Sequence, residues 1–89
     1  MKTFTQASPE VSDAFCKGYQ LMTSERPPYD SSSVGMAFRC GEICRERGIM
    51  AGEISPSRGY SWIVNRTFRI KFLNDTPGRK GAYSLERIS

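Results

Sequence analysis

The 89-residue chain contains no histidine, so the side chain that most often moves protons near neutral pH is missing. It has no Gly-x-x-x-x-Gly-Lys-Ser/Thr loop to cradle a nucleotide phosphate. Its carboxylates are scattered. Glu42 and Glu46 share a helix face, but they stand among Arg39 and Arg45, which reads as a solvated ion-pair face. These absences speak against an enzyme and against a bound cofactor. Three cysteines, Cys16, Cys40 and Cys44, are an odd number and argue against a disulfide framework. Two thiols one helical turn apart, a distant third and no histidine do not complete a tetrahedral metal site. Cys40 and Cys44 read instead as small buried hydrophobes. No run of about 18 apolar residues is present to span a membrane, and the chain turns polar within a few residues of Met1, unlike a secretory signal. The expectation is a cytoplasmic, reduced protein.

What is present is charge, unevenly placed. Residues 1–57 carry six basic and seven acidic side chains, a net of −1, whereas residues 58–89 carry seven basic and two acidic, a net of +5. A basic half interleaved with aromatics suits a polyanionic partner, because each phosphate contact releases condensed counterions. Small basic domains also use such charge for solubility alone.

One domain spans 1–89, with a helical part over 8–47 and a basic β part over 48–89. Ser8-Pro9-Glu10 starts a helix: N-cap, proline in the first turn, acid at the positive end of the dipole. Val11, Ala14, Phe15, Gly18, Tyr19 and Met22 form its apolar stripe, and Pro27-Pro28 limit it to about Glu25. A second helix is expected over 33–47, with Val34, Ala37, Phe38, Gly41 and Cys44 as its stripe and Gly48 as a left-handed cap. Each stripe contains a glycine, Gly18 and Gly41, which costs about 1 kcal/mol relative to alanine. Close helix–helix approach in an antiparallel hairpin is the compensation.

Beyond Gly48, Ile49 to Ile54 reads as a short strand, and Ser55 to Gly59 as a turn. Tyr60 to Leu73 alternates apolar and polar residues as one long strand, bent near Arg66. A two-residue hairpin at Asn65-Arg66 is the alternative, but it would set Trp62 against Arg69 and Tyr60 against Lys71, mixing apolar with charged on both faces. Ala82 to Ile88 supplies the last strand, with Tyr83 and Leu85 facing inward. The predicted fold is α+β: an antiparallel helical hairpin packed on a three-stranded antiparallel β-meander.

The candidate binding residues are Arg58, Tyr60, Arg66, Arg69, Lys71, Arg79 and Lys80. The cations would hold phosphates, and Tyr60 or Tyr29 would stack on an unpaired base. Trp62 and Phe68 are either a stacking platform or core beneath the helices. One continuous strand turns them away from Arg69 and Lys71, which favours core.

Gly18-Tyr19 in the first helix, Pro28-Tyr29 in the connector, and Phe38 with Gly41 in the second helix form a pattern over about residues 12–47. In these residues the chain resembles the ribosome modulation factor family and its small Rmf/CrpP-type relatives. Pro27 stands where that family has cysteine, Phe38 where it has tryptophan, and the first loop is shorter by about one helical turn. The resemblance implies association with RNA or the ribosome, with the basic sheet supplying charge that the slightly acidic hairpin lacks. A winged helix is a second analogy, with 33–47 as recognition helix and 49–64 as wing.

Two functions follow. The first is a small non-enzymatic protein that binds RNA, the ribosome or another nucleic acid through its basic C-terminal half. The second is an inhibitor or adaptor, of the kind phages and prophages encode, that binds a host protein complex stoichiometrically through an edge strand or an aromatic anchor.

Overall fold

The computed structural model describes residues 9–22, 24, 33–52, 54–57, 60–73 and 82–88. Helix α1 spans Pro9–Tyr19 and buries Val11, Ala14, Phe15 and Gly18. It stops well short of Glu25. Leu21 turns to a φ of 58°, the Met22 N–H bonds the Lys17 carbonyl at 2.9 Å, and the Leu21 N–H bonds the Gly18 carbonyl at 3.0 Å. This closure satisfies two terminal carbonyls, but it places leucine where glycine is favoured, at a cost of about 1 kcal/mol. Helix α2 spans Ser33–Arg47, the range expected from the sequence. The same closure ends it, here with Gly48 at a φ of 69° and Ile49 bonded to the Cys44 carbonyl at 2.9 Å.

The two mid-stripe glycines set how the helices meet. Gly18 lies against the backbone of Phe38, and Gly41 lies against Phe15, Gly18 and Tyr19. A Cβ at either position would fall on a carbonyl oxygen of the other helix. Residue 18 meets 38 while 41 meets 15, so the helices run antiparallel, as expected of a hairpin.

Helix α2 is the middle of the molecule. Ten consecutive residues, Gly35 to Cys44, are buried. Helix α1 covers one side through the glycine contact, and α2 also reaches the sheet, where the Arg47 Nε donates to the Tyr83 hydroxyl at 2.8 Å. A recognition helix needs an open face along its length, and α2 has none.

The sheet departs from the expected three strands. Four antiparallel strands, β1 (Ser55–Pro56), β2 (Ser61–Ile63), β3 (Phe68–Phe72) and β4 (Tyr83–Arg87), lie side by side in chain order. The expected long strand is a hairpin, β2 to β3, and the expected strand over 49–54 is replaced by the two-residue edge β1. The reason is register. Trp62 pairs with Ile70, Ser61 with Lys71, and Ile63 with Arg69. This is one residue beyond the register of a two-residue turn, so the mixing of apolar and charged rows disappears. Trp62, Val64, Ile70 and Phe72 now share one buried row, while Arg69 and Lys71 share the other.

Asn65 builds the turn that makes this possible. Its Oδ1 accepts from the Thr67 and Phe68 backbone N–H groups, both at 2.7 Å, a side-chain substitute for a backbone turn. Its Nδ2 donates to the Met50 carbonyl at 2.8 Å, tying the loop to the segment that follows α2. The core beneath the sheet is continuous with the helices: Phe38, Ile43, Trp62, Val64 and Ile70 belong to one buried cluster.

Gly18→Ala and Gly41→Ala are each expected to destabilise the protein by about 2–3 kcal/mol, despite alanine's better helix propensity, because backbone on the partner helix has nowhere to move. A Cβ at Gly52 meets Asn65 only at 3.5 Å, so Gly52→Ala is the control and stays within about 0.5 kcal/mol. Urea denaturation midpoints check all three.

Candidate functional site

The sheet row facing away from the core holds Ser61 and Ile63 of β2, Arg69 and Lys71 of β3, and Ser84 and Glu86 of β4, as cross-strand pairing requires. Ser61 is buried and Ile63 half-buried, whereas Lys71 is exposed, so this face opens over β3 and β4. There Arg69 does not stand free. Its Nε and Nη2 contact Glu86 Oε1 at 2.9 and 2.7 Å, directly across the strands. The pair is about one-third exposed on both sides and contributes little to stability, but it cancels one of the two cations on the row. Lys71, between Ser61 and Ser84, remains.

The other proposed binding residues are dispersed. Arg66 is exposed at the tip of the β2–β3 loop. Tyr60, 41% exposed, precedes β2 in the row of Trp62, and its carbonyl accepts from the Phe72 N–H at 2.9 Å. It therefore belongs to the opposite side of the sheet from Lys71. Arg58, Arg79 and Lys80, and Tyr29, lie outside the described residues. Trp62 is core, 1% exposed, and Phe68 packs against the core half-buried. The structure thus brings Arg69 and Lys71 together, puts Arg66 at the end of the same hairpin, and separates Tyr60 from them.

A second cluster departs from the sequence reading. Arg39 and Glu42, expected on a solvated face, are 7% and 3% exposed. Arg39 Nη1 lies 3.6 Å from Glu42 Oε1 and 3.8 Å from Glu46 Oε1. Its Nε and Nη1 have no hydrogen-bond partner among the described residues. The guanidinium sits 5.8 Å from the centroid of Tyr83, and that of Arg47 sits 5.6 Å from the same ring. This arrangement joins α2 to β4 through one tyrosine and two arginines. Only Arg45 and Glu46 of the anticipated ion-pair face are exposed, with Arg45 5.7 Å from the Tyr19 ring. The signal for burial was the run of small residues on several sides of α2, namely Gly35, Ala37, Cys40, Gly41 and Cys44, which suits a helix enclosed all round.

Cys40 and Cys44 are fully buried and unbridged, and Cys16 is exposed. Burial pushes the Cys40 thiol well up, with the charge of Cys44 adding and Arg39 opposing. Burial alone pushes Cys44 from 9.0 up to about 11. Among the described residues, no three histidine, cysteine, aspartate or glutamate side chains are grouped to hold a metal ion, and no helix is long and apolar enough to cross a membrane. The chain matches no family model, no curated protein and no solved structure.

Three outcomes are expected. At pH 8 a thiol reagent modifies Cys16 alone in the folded protein and all three cysteines after denaturation. The raised Cys44 pKa means that the unfolded chain loses this proton first, so its contribution to stability is complete below pH 9.0 and is lost as pH rises towards 11; denaturation midpoints across that window fall less in Cys44→Ala. Separately, Arg39→Ala removes the guanidinium beside the buried Glu42 carboxylate and costs about 3 kcal/mol. Glu46→Ala, at a half-exposed side chain, costs under about 1 kcal/mol by the same denaturation assay.

Proposed function

We propose that the protein is a non-enzymatic binding protein that engages RNA, in the ribosome or free, through the open outer face over β3 and β4. The observation that carries this reading is the placement of exposed Lys71 and half-buried Arg69 together on the core-opposite row of the sheet, with Arg66 at the end of the same hairpin. The charge of residues 58–89, a net of +5, supports it, as does the resemblance of residues 12–47 to the ribosome modulation factor family. The contacts would be to phosphates rather than to stacked bases, because Trp62 is spent in the core and Tyr60 lies in the other row. Recognition of this kind tolerates many sequences and weakens steeply with salt.

Arg69 has a double role in this reading. Phosphate oxygens compete with Glu86 for its guanidinium, so Glu86→Gln releases a cation to the partner. Binding of a fluorescein-labelled single-stranded RNA, followed by anisotropy over a salt series, tests the assignment. Lys71→Glu with Arg66→Glu is expected to weaken binding at least tenfold and to lower the salt slope by about 0.7 for each phosphate no longer neutralised, while Glu86→Gln tightens it. Unchanged affinity in Arg69→Glu with Lys71→Glu would remove this face from consideration. Capture of one host protein complex that survives nuclease and moderate salt would favour the inhibitor or adaptor function instead.

A further inference from the structure

The outer row of the sheet sorts its polar groups by strand. The cations Arg69 and Lys71 stand on β3, two residues apart. Directly across from them on β4 are Glu86 and Ser84, a carboxylate that only accepts hydrogen bonds and a hydroxyl that both donates and accepts. Successive residues of one row lie about 7 Å apart along a strand, and neighbouring strands lie about 4.8 Å apart. A line of cations thus runs beside a line of acceptors. Lys71 is exposed, Ser84 is half-buried, and the Arg69 and Glu86 side chains are 36% and 31% exposed, so solvent reaches both lines.

Two such lines separate nucleic acids by their sugars. Phosphates are common to RNA and DNA, whereas the 2′-hydroxyl is what tells RNA from DNA, and the wide, shallow minor groove of an A-form duplex displays it. Glu86 makes the difference count. Without a partner, its Oε1 holds Arg69 at 2.7 and 2.9 Å. A phosphate that draws Arg69 away leaves this carboxylate without that donor and beside a second anion. On DNA the loss is uncompensated, while on RNA a ribose hydroxyl replaces the guanidinium. Stacking offers no substitute. Trp62, Phe68, Phe72 and Tyr83, the aromatic residues of the described strands, occupy the core-facing row, so none of them is placed to hold a splayed base of a single strand.

We propose that the outer face reads ribose: Lys71 and Arg69 take neighbouring phosphates of an RNA duplex, and Ser84 and Glu86 accept hydrogen bonds from its 2′-hydroxyls. The inference rests on the RNA binding proposed above and narrows it to one form of RNA. The occupant is chosen by complementarity. A regular A-form backbone repeats one unit of phosphate and hydroxyl, and the face repeats one unit of cation and acceptor, Lys71 with Ser84 and Arg69 with Glu86. A single strand presents the same groups irregularly and gains nothing here from stacking. Leu73, 56% exposed, comes next in the β3 row and ends the polar stretch. The contact is therefore short, and its affinity is modest.

Anisotropy titrations of the full chain at low salt test the proposal, with fluorescein-labelled probes of one sequence: an RNA duplex, a DNA duplex, a 2′-O-methyl RNA duplex and an RNA single strand. The methylated duplex keeps the A-form backbone but has no 2′-hydroxyl to donate. The RNA duplex is expected to bind about fivefold more tightly than the DNA or the methylated duplex, and more tightly than the single strand. Ser84→Ala and Glu86→Ala each narrow the RNA-to-DNA ratio, Glu86→Ala by raising the affinity for DNA, whereas Lys71→Glu weakens all probes together. The methylated probe needs no variant, so it decides the matter even if circular dichroism shows a substituted protein unfolded. Equal binding of the RNA duplex and either the DNA or the methylated duplex overturns the ribose reading and leaves phosphate binding standing, as does a preference for the single strand. If no probe binds, the ribose reading and the RNA binding it rests on fail together.

Discussion

Direct backbone contact between α1 and α2 is the constraint on which the rest of the structure depends. Gly18 and Gly41 remove the side chains that would hold the helices apart, and this close approach turns α2 into a central element rather than one flank of a bundle. A helix pressed against α1 on one side and the sheet on another has no fully exposed face left. Its inventory of Gly35, Ala37, Cys40, Gly41 and Cys44 follows from that crowding, since dense packing leaves no room for larger groups on every side. The same enclosure takes Arg39 and Glu42 out of solvent, where the Tyr83 ring and the carboxylates around the guanidinium become its surroundings.

What could be read from the sequence, and what could not, divides along one physical line. Features set by neighbours in the chain were legible. The C-terminal bound of α2 followed from its Gly48 cap, and the glycine contact followed from two costly residues placed on apolar stripes. The end of α1 was hidden, because leucine in the left-handed region is not signalled by residue type. The β half failed for a different reason. Period-2 alternation over 60–73 is identical for one long strand and for a hairpin whose loop preserves the parity of the rows, and only Asn65's three hydrogen bonds decide between them. The burial of Arg39 was hidden because reading a helix from a stripe assumes one wet face.

For function, the contrast between the sheet's two rows matters more than net charge. The aromatic residues suited to stacking on bases are largely committed to the core, and one of the two cations on the outer row is already matched by Glu86. Under the proposed function, a surface of this kind would hold an anionic partner loosely and without reading its sequence. Affinity would then depend on how many such faces act together. Linked sites of modest strength gain avidity without any new contact.

The β2–β3 loop has a consequence for how this chain can change over generations. Surface connections ordinarily drift in length, because closing a slightly longer loop adds little entropy cost. Here the loop acts as a counter. Removing or adding a single residue between Val64 and Phe68 would reverse the parity of everything that follows, turning Ile70 and Phe72 towards water and Arg69 and Lys71 towards Trp62. Descendants of this sequence can therefore vary the residues at the tip, Arg66 included, far more freely than they can vary their number. In any set of relatives, a gap-free stretch across 64–68 would mark the retained fold more dependably than the identity of any one side chain there, save Asn65.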